Sequence, residues 1–180
     1  MKNFKLKIGL LMWVFFPILL SAQSPADKLF EKYSEKDGFT SVYITQHMFS
    51  LFADIETEED KDGFVELVKN LNCIKIISVD DETPEMNAKV NFYDEIMKEL
   101  PRDQYNELMV VKEKDSDVVF LAREVKGVIV ELLLIAGGKS NSDNVLISIQ
   151  GIIDLENIAK LSHGLGIEGM KSLEDLEKLP

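Results

Sequence analysis

The chain is 180 residues long and acidic, with 32 Asp and Glu against 20 Lys and Arg and a formal charge of −12. That balance excludes a general grip on nucleic acid, which needs basic groups to neutralise phosphates, and disfavours docking on anionic lipid. One cysteine, Cys73, excludes an internal disulfide framework, so a hydrophobic core must hold the fold.

Residues 1–22 read as a secretory signal peptide: Lys2, Lys5 and Lys7, an apolar run Ile8–Leu20, then Leu20-Ser21-Ala22 before a cut at Gln23. The run is shorter than the roughly 20 residues that cross a bilayer. No cysteine stands at the cut to take a lipid. The expectation is an exported protein, periplasmic or secreted, not lipid-anchored, with no integral membrane segment after cleavage. Without its leader the chain carries −15, over a length that suits one domain. Residues 23–163 are assigned to that domain, and 164–180 to a tail or short docking helix.

Ser24-Pro25 reads as a short lead. Leu29, Phe30 and Tyr33 then form a weak helical stripe in Ala26–Lys36, and Phe39–Thr45 alternates as a strand. Met48, Phe49, Leu51 and Phe52 supply the buried face of a helix capped by Thr45. After the acidic run Asp54–Asp62, Phe64, Leu67, Val68 and Leu71 repeat at helical spacing, and Cys73–Val79 is a strand. Glu85–Leu100 reads as one helix with Met86, Val90, Tyr93, Met97 and Leu100 on its stripe, stopped by Pro101. Asp154 is a plausible cap for a last helix, Leu155–Ser162.

Between these lies the densest signal. Tyr105–Lys112, then VVFLAREV, VIVELLLIAGG and VLISIQG are short β-branched runs separated by Gly, Asn, Ser and Asp. Short connections imply antiparallel neighbours, because parallel pairs need a long crossover. Residues 105–150 are therefore read as a four-stranded meander. The fold class that follows is α+β, a mainly antiparallel sheet with a C-terminal strand meander packed against amphipathic helices.

The leader ending in SAQ, KYSEKDGFTSVYITQHMFSLF, YNELMVVKE, VIVELLLIAGG and ISIQGIIDLENIAKL, in that order, resemble the DUF4252 family of small exported Bacteroidetes proteins. The resemblance runs from Leu29 to about Leu161. It implies export and a single domain, and brings no activity or site residues with it.

The chemical candidates are few. Glu58, Asp60 and Asp62 fall at ligand positions of a calcium loop aligned on Gly63, but Lys69 stands where the closing bidentate Glu belongs. A solvated acidic helix start is the preferred reading, and no metal is expected. His47, His163 and Cys73 lack any zinc spacing, and no GxSxG, GxGxxG or GxxxxGK[ST] pattern occurs, so no cofactor is expected. Cys73 is flanked by strand residues that suggest burial. The turn Gly137-Gly138-Lys139-Ser140 is assigned to a hairpin needing positive φ.

Glu131 interrupts VIVELLLI, with Ile129, Leu133 and Ile135 on its own face, and Glu107 interrupts YNELMVV. Arg102, Arg123 and Lys126 are the candidate partners. A pair of carboxylates would be the minimum for glycosidase-like acid/base work, and a structural ion pair is the commoner use. Three function classes follow. The first is a non-catalytic module that binds another protein or itself, since two-sided apolar strands need cover on both faces. The second is a carrier or sensor of a small apolar ligand, lined by Met48, Met86, Met97 and Met109. The third is a hydrolase whose site joins His47, His163, Glu107 or Glu131.

Overall fold

The computed structural model describes residues 23–53, 68–80, 82–86, 88–112, 114, 116–138 and 144–154. Ser24 is a helix cap rather than a lead: its hydroxyl accepts from the Asp27 N–H at 3.1 Å. Pro25 takes the first helical position, where a missing N–H goes unnoticed. Helix α1 (Pro25–Tyr33) buries Ala26, Leu29 and Tyr33. Strand β1 (Phe39–Thr45) follows and runs directly into α2 (Gln46–Ala53).

Strand β2 spans Leu71–Val79. Leu71, which the apolar stripe placed in a helix, is its first residue, because it pairs with Gly151 across the sheet. The expected single helix over Glu85–Leu100 is divided. A 3₁₀ turn, Pro84–Met86, precedes α3 (Phe92–Glu99), whose cap is Asn91 accepting from the Asp94 N–H at 3.0 Å. Met86 and Val90 hold the apolar spacing without belonging to α3, which is why the stripe reads as longer than the helix. The leader, the acidic run, the last expected helix and the tail lie outside the described residues.

Four strands complete the sheet: β3 (Tyr105–Lys112), β4 (Ser116–Val125), β5 (Val128–Gly138) and β6 (Val145–Ile153). The order is β1-β2-β6-β5-β4-β3 with every pair antiparallel, so the expected meander is present and β6 closes it onto β2. Lys126 and Gly127 link β4 to β5 with φ of 54° and 81°. Two positive φ values match the twist of the flanking strands, as in a type I′ turn.

Both faces of the sheet are covered by helices. On one face α1 and α3 pack Leu29, Tyr33, Phe92 and Ile96 onto Ile77, Val119, Leu121, Leu133, Ile135 and Leu146. On the other, Phe49 of α2 and Val68 sit on Ile74, Phe120, Leu132, Leu134, Ile147 and Ile149. Each such side chain contributes about 1.5–3 kcal/mol when fully buried. The hydrophobic effect therefore explains the nearly unbroken apolar run in β5.

The ladder shifts register at four places, between Leu71 and Cys73, Glu107 and Met109, Arg123 and Glu124, and Ile129 and Glu131. In β5, Val130 is the extra residue, and it turns Ile129 toward the α2 face, away from Leu133 and Ile135. Glu131 thus shares its face with Leu133 and Ile135 but not with Ile129. Gly137 is also not in the positive-φ region assigned to it. A Cβ there would lie 2.7 Å from the Tyr93 backbone nitrogen, so glycine is needed to let the start of α3 approach the strand. Among the described residues no helix is long and apolar enough to cross a membrane.

Candidate functional site

Cross-strand pairing places six residues in one row over the whole sheet: Tyr105 opposite Arg123, Arg123 opposite Glu131, Glu131 opposite Gln150, Gln150 opposite Cys73, and Cys73 opposite Thr45. Directly opposed residues share a face and come within side-chain reach. This row lies on the face that carries α1 and α3, and it is the polar band of an otherwise apolar layer.

Glu131 is its centre and is fully buried. Its Oε2 accepts from Tyr105 OH at 2.7 Å and from Arg123 Nε at 3.0 Å. Its Oε1 takes two longer contacts, from Gln150 Nε2 at 3.4 Å and Ser148 Oγ at 3.5 Å. The Gln150 amide is better placed on Asp27, to which it donates at 2.9 Å. Helix α1 brings Asp27 down to the sheet, and its Oδ1 also accepts from Lys75 Nζ at 2.6 Å. A continuous polar chain therefore joins β3, β4, β5, β6, β2 and α1.

Charge is balanced inside this chain. A buried carboxylate requires a partner, and Arg123 supplies one while keeping its side chain 31% exposed. Burial works against the Arg123 cation, yet the Glu131 hydrogen bond and charge outweigh it and raise its pKa. Lys75 is raised in the same way, with the bond to Asp27 overcoming desolvation. Burial pushes the Tyr105 phenol well above its usual value, and the charge and hydrogen bond of Glu131 push it further. Burial likewise raises the Cys73 thiol. A protonated, buried thiol is a poor nucleophile. A carboxylate enclosed by four donors has no face left for substrate.

The sequence candidates are dispersed. Glu131 does pair with Arg123, whereas Glu107 is exposed on β3, two strands away, with Leu121 as its cross-strand neighbour. His47 is exposed on α2, the helix on the opposite face from Glu131. His163, Glu58, Asp60 and Asp62 lie outside the described residues, among which no three His, Cys, Asp or Glu gather as a metal site. Cys73 is buried, as its flanks suggested.

Of the candidate methionines, Met48 is exposed, and Met97 and Met109 pack against opposite cores. An open depression of about 340 Å³ borders Arg123 and is lined by Asp103, Gln104, Asn106, Glu124 and Val125. That lining is mainly polar, unlike the apolar walls of most ligand pockets.

Asp27, Lys75, Ser148 and Gln150 were not singled out from sequence. A signal existed: Ser148 and Gln150 are two apart in an apolar strand, and Lys75 interrupts CIKIISV as Glu131 interrupts its own run.

Among the described residues, several large apolar side chains at the β1 margin of the sheet are open to solvent. Val42 and Tyr43 of β1 are 41% and 57% exposed, and Met48 and Leu51 of α2 are 45% and 51% exposed. Among the described residues β1 is an edge strand, with no neighbouring strand on its outer N–H and C=O groups.

Comparison with curated proteins and with solved structures gives no match. The model of the domain of unknown function DUF4252 matches residues 33–161, which span all six strands. The chain belongs to the DUF4252 family.

Proposed function

We propose that the protein is an exported, non-catalytic protein-interaction module, periplasmic or secreted. The observation that supports this most directly is the outer margin of β1, a run of exposed residues whose backbone edge is open among the described residues, beside the exposed Met48 and Leu51. Extended segments of other chains add to such edges through main-chain hydrogen bonds. The sealed state of Glu131 and Cys73 favours a structural use of the polar row over catalysis. Export is supported by the leader pattern in residues 1–22.

The test is photo-crosslinking in cells, with a photoreactive side chain at Tyr43 or Met48 and a control at Lys98 on α3. Adducts larger than the monomer are expected from Tyr43 and Met48 and not from Lys98. Absence of adducts from both margin positions would overturn the reading.

A further inference from the structure

Resting on that module reading, we propose that the partner is a second copy of this chain, paired antiparallel along β1 about a two-fold axis through Val42. Charge provides the first argument. Two copies carrying −15 each without the leader repel over most of their surfaces. β1, FTSVYIT, holds no Asp, Glu, Lys or Arg, so it is a strip along which like-charged copies can approach.

The contrast between the two edges provides the second argument. β3 is the other edge strand and carries devices that discourage pairing: Glu107, Lys112 and the register shift at Leu108. β1 has none of these. Its pairing with β2 runs unbroken from Phe39 to Thr45, so its outer side is a regular ladder.

The third argument is self-complementarity, which a two-fold interface requires. Centring the axis on Val42 sets Phe39 opposite Thr45, Thr40 opposite Ile44, Ser41 opposite Tyr43, and Val42 opposite its own copy. Each pair lies on one face, so the α1 side of one copy continues into the α1 side of the other. Beta-branched residues dominate the strip, which suits cross-strand packing. A seven-residue strand pair falls below the ~1,200 Å² of standard stable complexes, so the association is expected to be reversible.

Sedimentation of the purified exported protein, from about 1 to 500 μM, should show a reversible monomer–dimer equilibrium. Val42→Lys, which opposes two like charges at the axis, should weaken it about tenfold or more while the circular dichroism spectrum is retained. In a Cys73→Ser background, Val42→Cys should form a disulfide-linked dimer under mild oxidation. Antiparallel partners lie about 4.5–5.5 Å apart at Cα, within disulfide reach. Val110→Cys on β3 should not link. Should V42C fail to fold, a mixture of S41C and Y43C chains should give the mixed disulfide, with neither linking alone.

A chain that stays monomeric throughout, or a dimer that links through V110C instead, overturns the proposal. Cellular adducts from Tyr43 of mass other than twice the chain also overturn it, while leaving the module reading in place. Only the absence of margin adducts removes both.

Discussion

Tyr105 and Glu131 stand on strands separated by β4, yet the phenol donates to the buried carboxylate at 2.7 Å, with Arg123 bonding the same oxygen from the strand between them. The three residues act as one unit because the carboxylate has no water to fall back on.

Removing one donor should therefore cost more than an average hydrogen bond. Tyr105→Phe is expected to destabilise by about 1–3 kcal/mol, and Arg123→Ala by about 3 kcal/mol, the low end for leaving a buried charge unpaired since Arg123 is partly solvated. Pairing Arg123→Met with Glu131→Leu should recover part of that loss. Urea unfolding of the single and double variants checks the order. Additive losses would show that the three do not act together.

Alkaline stability should fall for a related reason. A phenol ionises near pH 10 when unfolded, and Tyr105 in the fold holds its proton to higher pH. The unfolded state then binds fewer protons than the folded one, so the Tyr105 contribution is intact below pH 10 and is lost as pH rises past it. Thermal melts between pH 8 and 11 should show this slope. Tyr105→Phe should flatten it, with Cys73, Tyr33, Lys32 and Lys75, also raised, leaving a residue of the effect.

Two glycines with positive φ should respond differently to alanine. Gly151 has φ of 147°, and a Cβ there would collide with the backbone oxygen of Asn70, which accepts the Ile152 N–H at 2.9 Å. Gly127 has φ of 81° and open space around it. Gly127→Ala should cost about 1–2 kcal/mol of backbone strain, and Gly151→Ala should cost more than that. Equal losses in denaturant titration would contradict the steric account.

The lone thiol offers a direct probe. Cys73 is buried and its pKa is raised, so a soluble disulfide reagent should react slowly with native protein and rapidly in denaturant. Fast native labelling would mean that β2 opens far more readily than its place between β1 and β6 implies.

The sheet was largely legible in sequence because β-branched runs and turn residues alternate so regularly from Tyr105 onward. β1 was recovered from Phe39 to Thr45 for the same reason. What periodicity missed was decided by single local bonds. Ser24 is a cap only because Asp27 turns its N–H back to it, and α3 starts at its Asn91 cap rather than at Met86 or Val90.

The site was half legible. Glu131 stood out as a charge in an apolar run, and Arg123 was among its named partners. A regular two-residue hairpin would set Arg123 opposite Val130. The bulge at Val130 is what brings Glu131 there, and no residue type announces it. Asp27 reaches the row only through the docking of α1, a long-range event that local pattern cannot encode.

That bulge also bears on how faithfully the chain folds. Sliding β5 by one position against its neighbours would swing Glu131 over to the side of Phe120 and Ile147, stranding an anion in grease without Arg123 or Tyr105. Breaking such a pair costs about 3–5 kcal/mol, enough to make the slipped hairpin a sparse and short-lived species. A single acidic residue thereby acts as a check on strand alignment, since only one register gives its charge a partner.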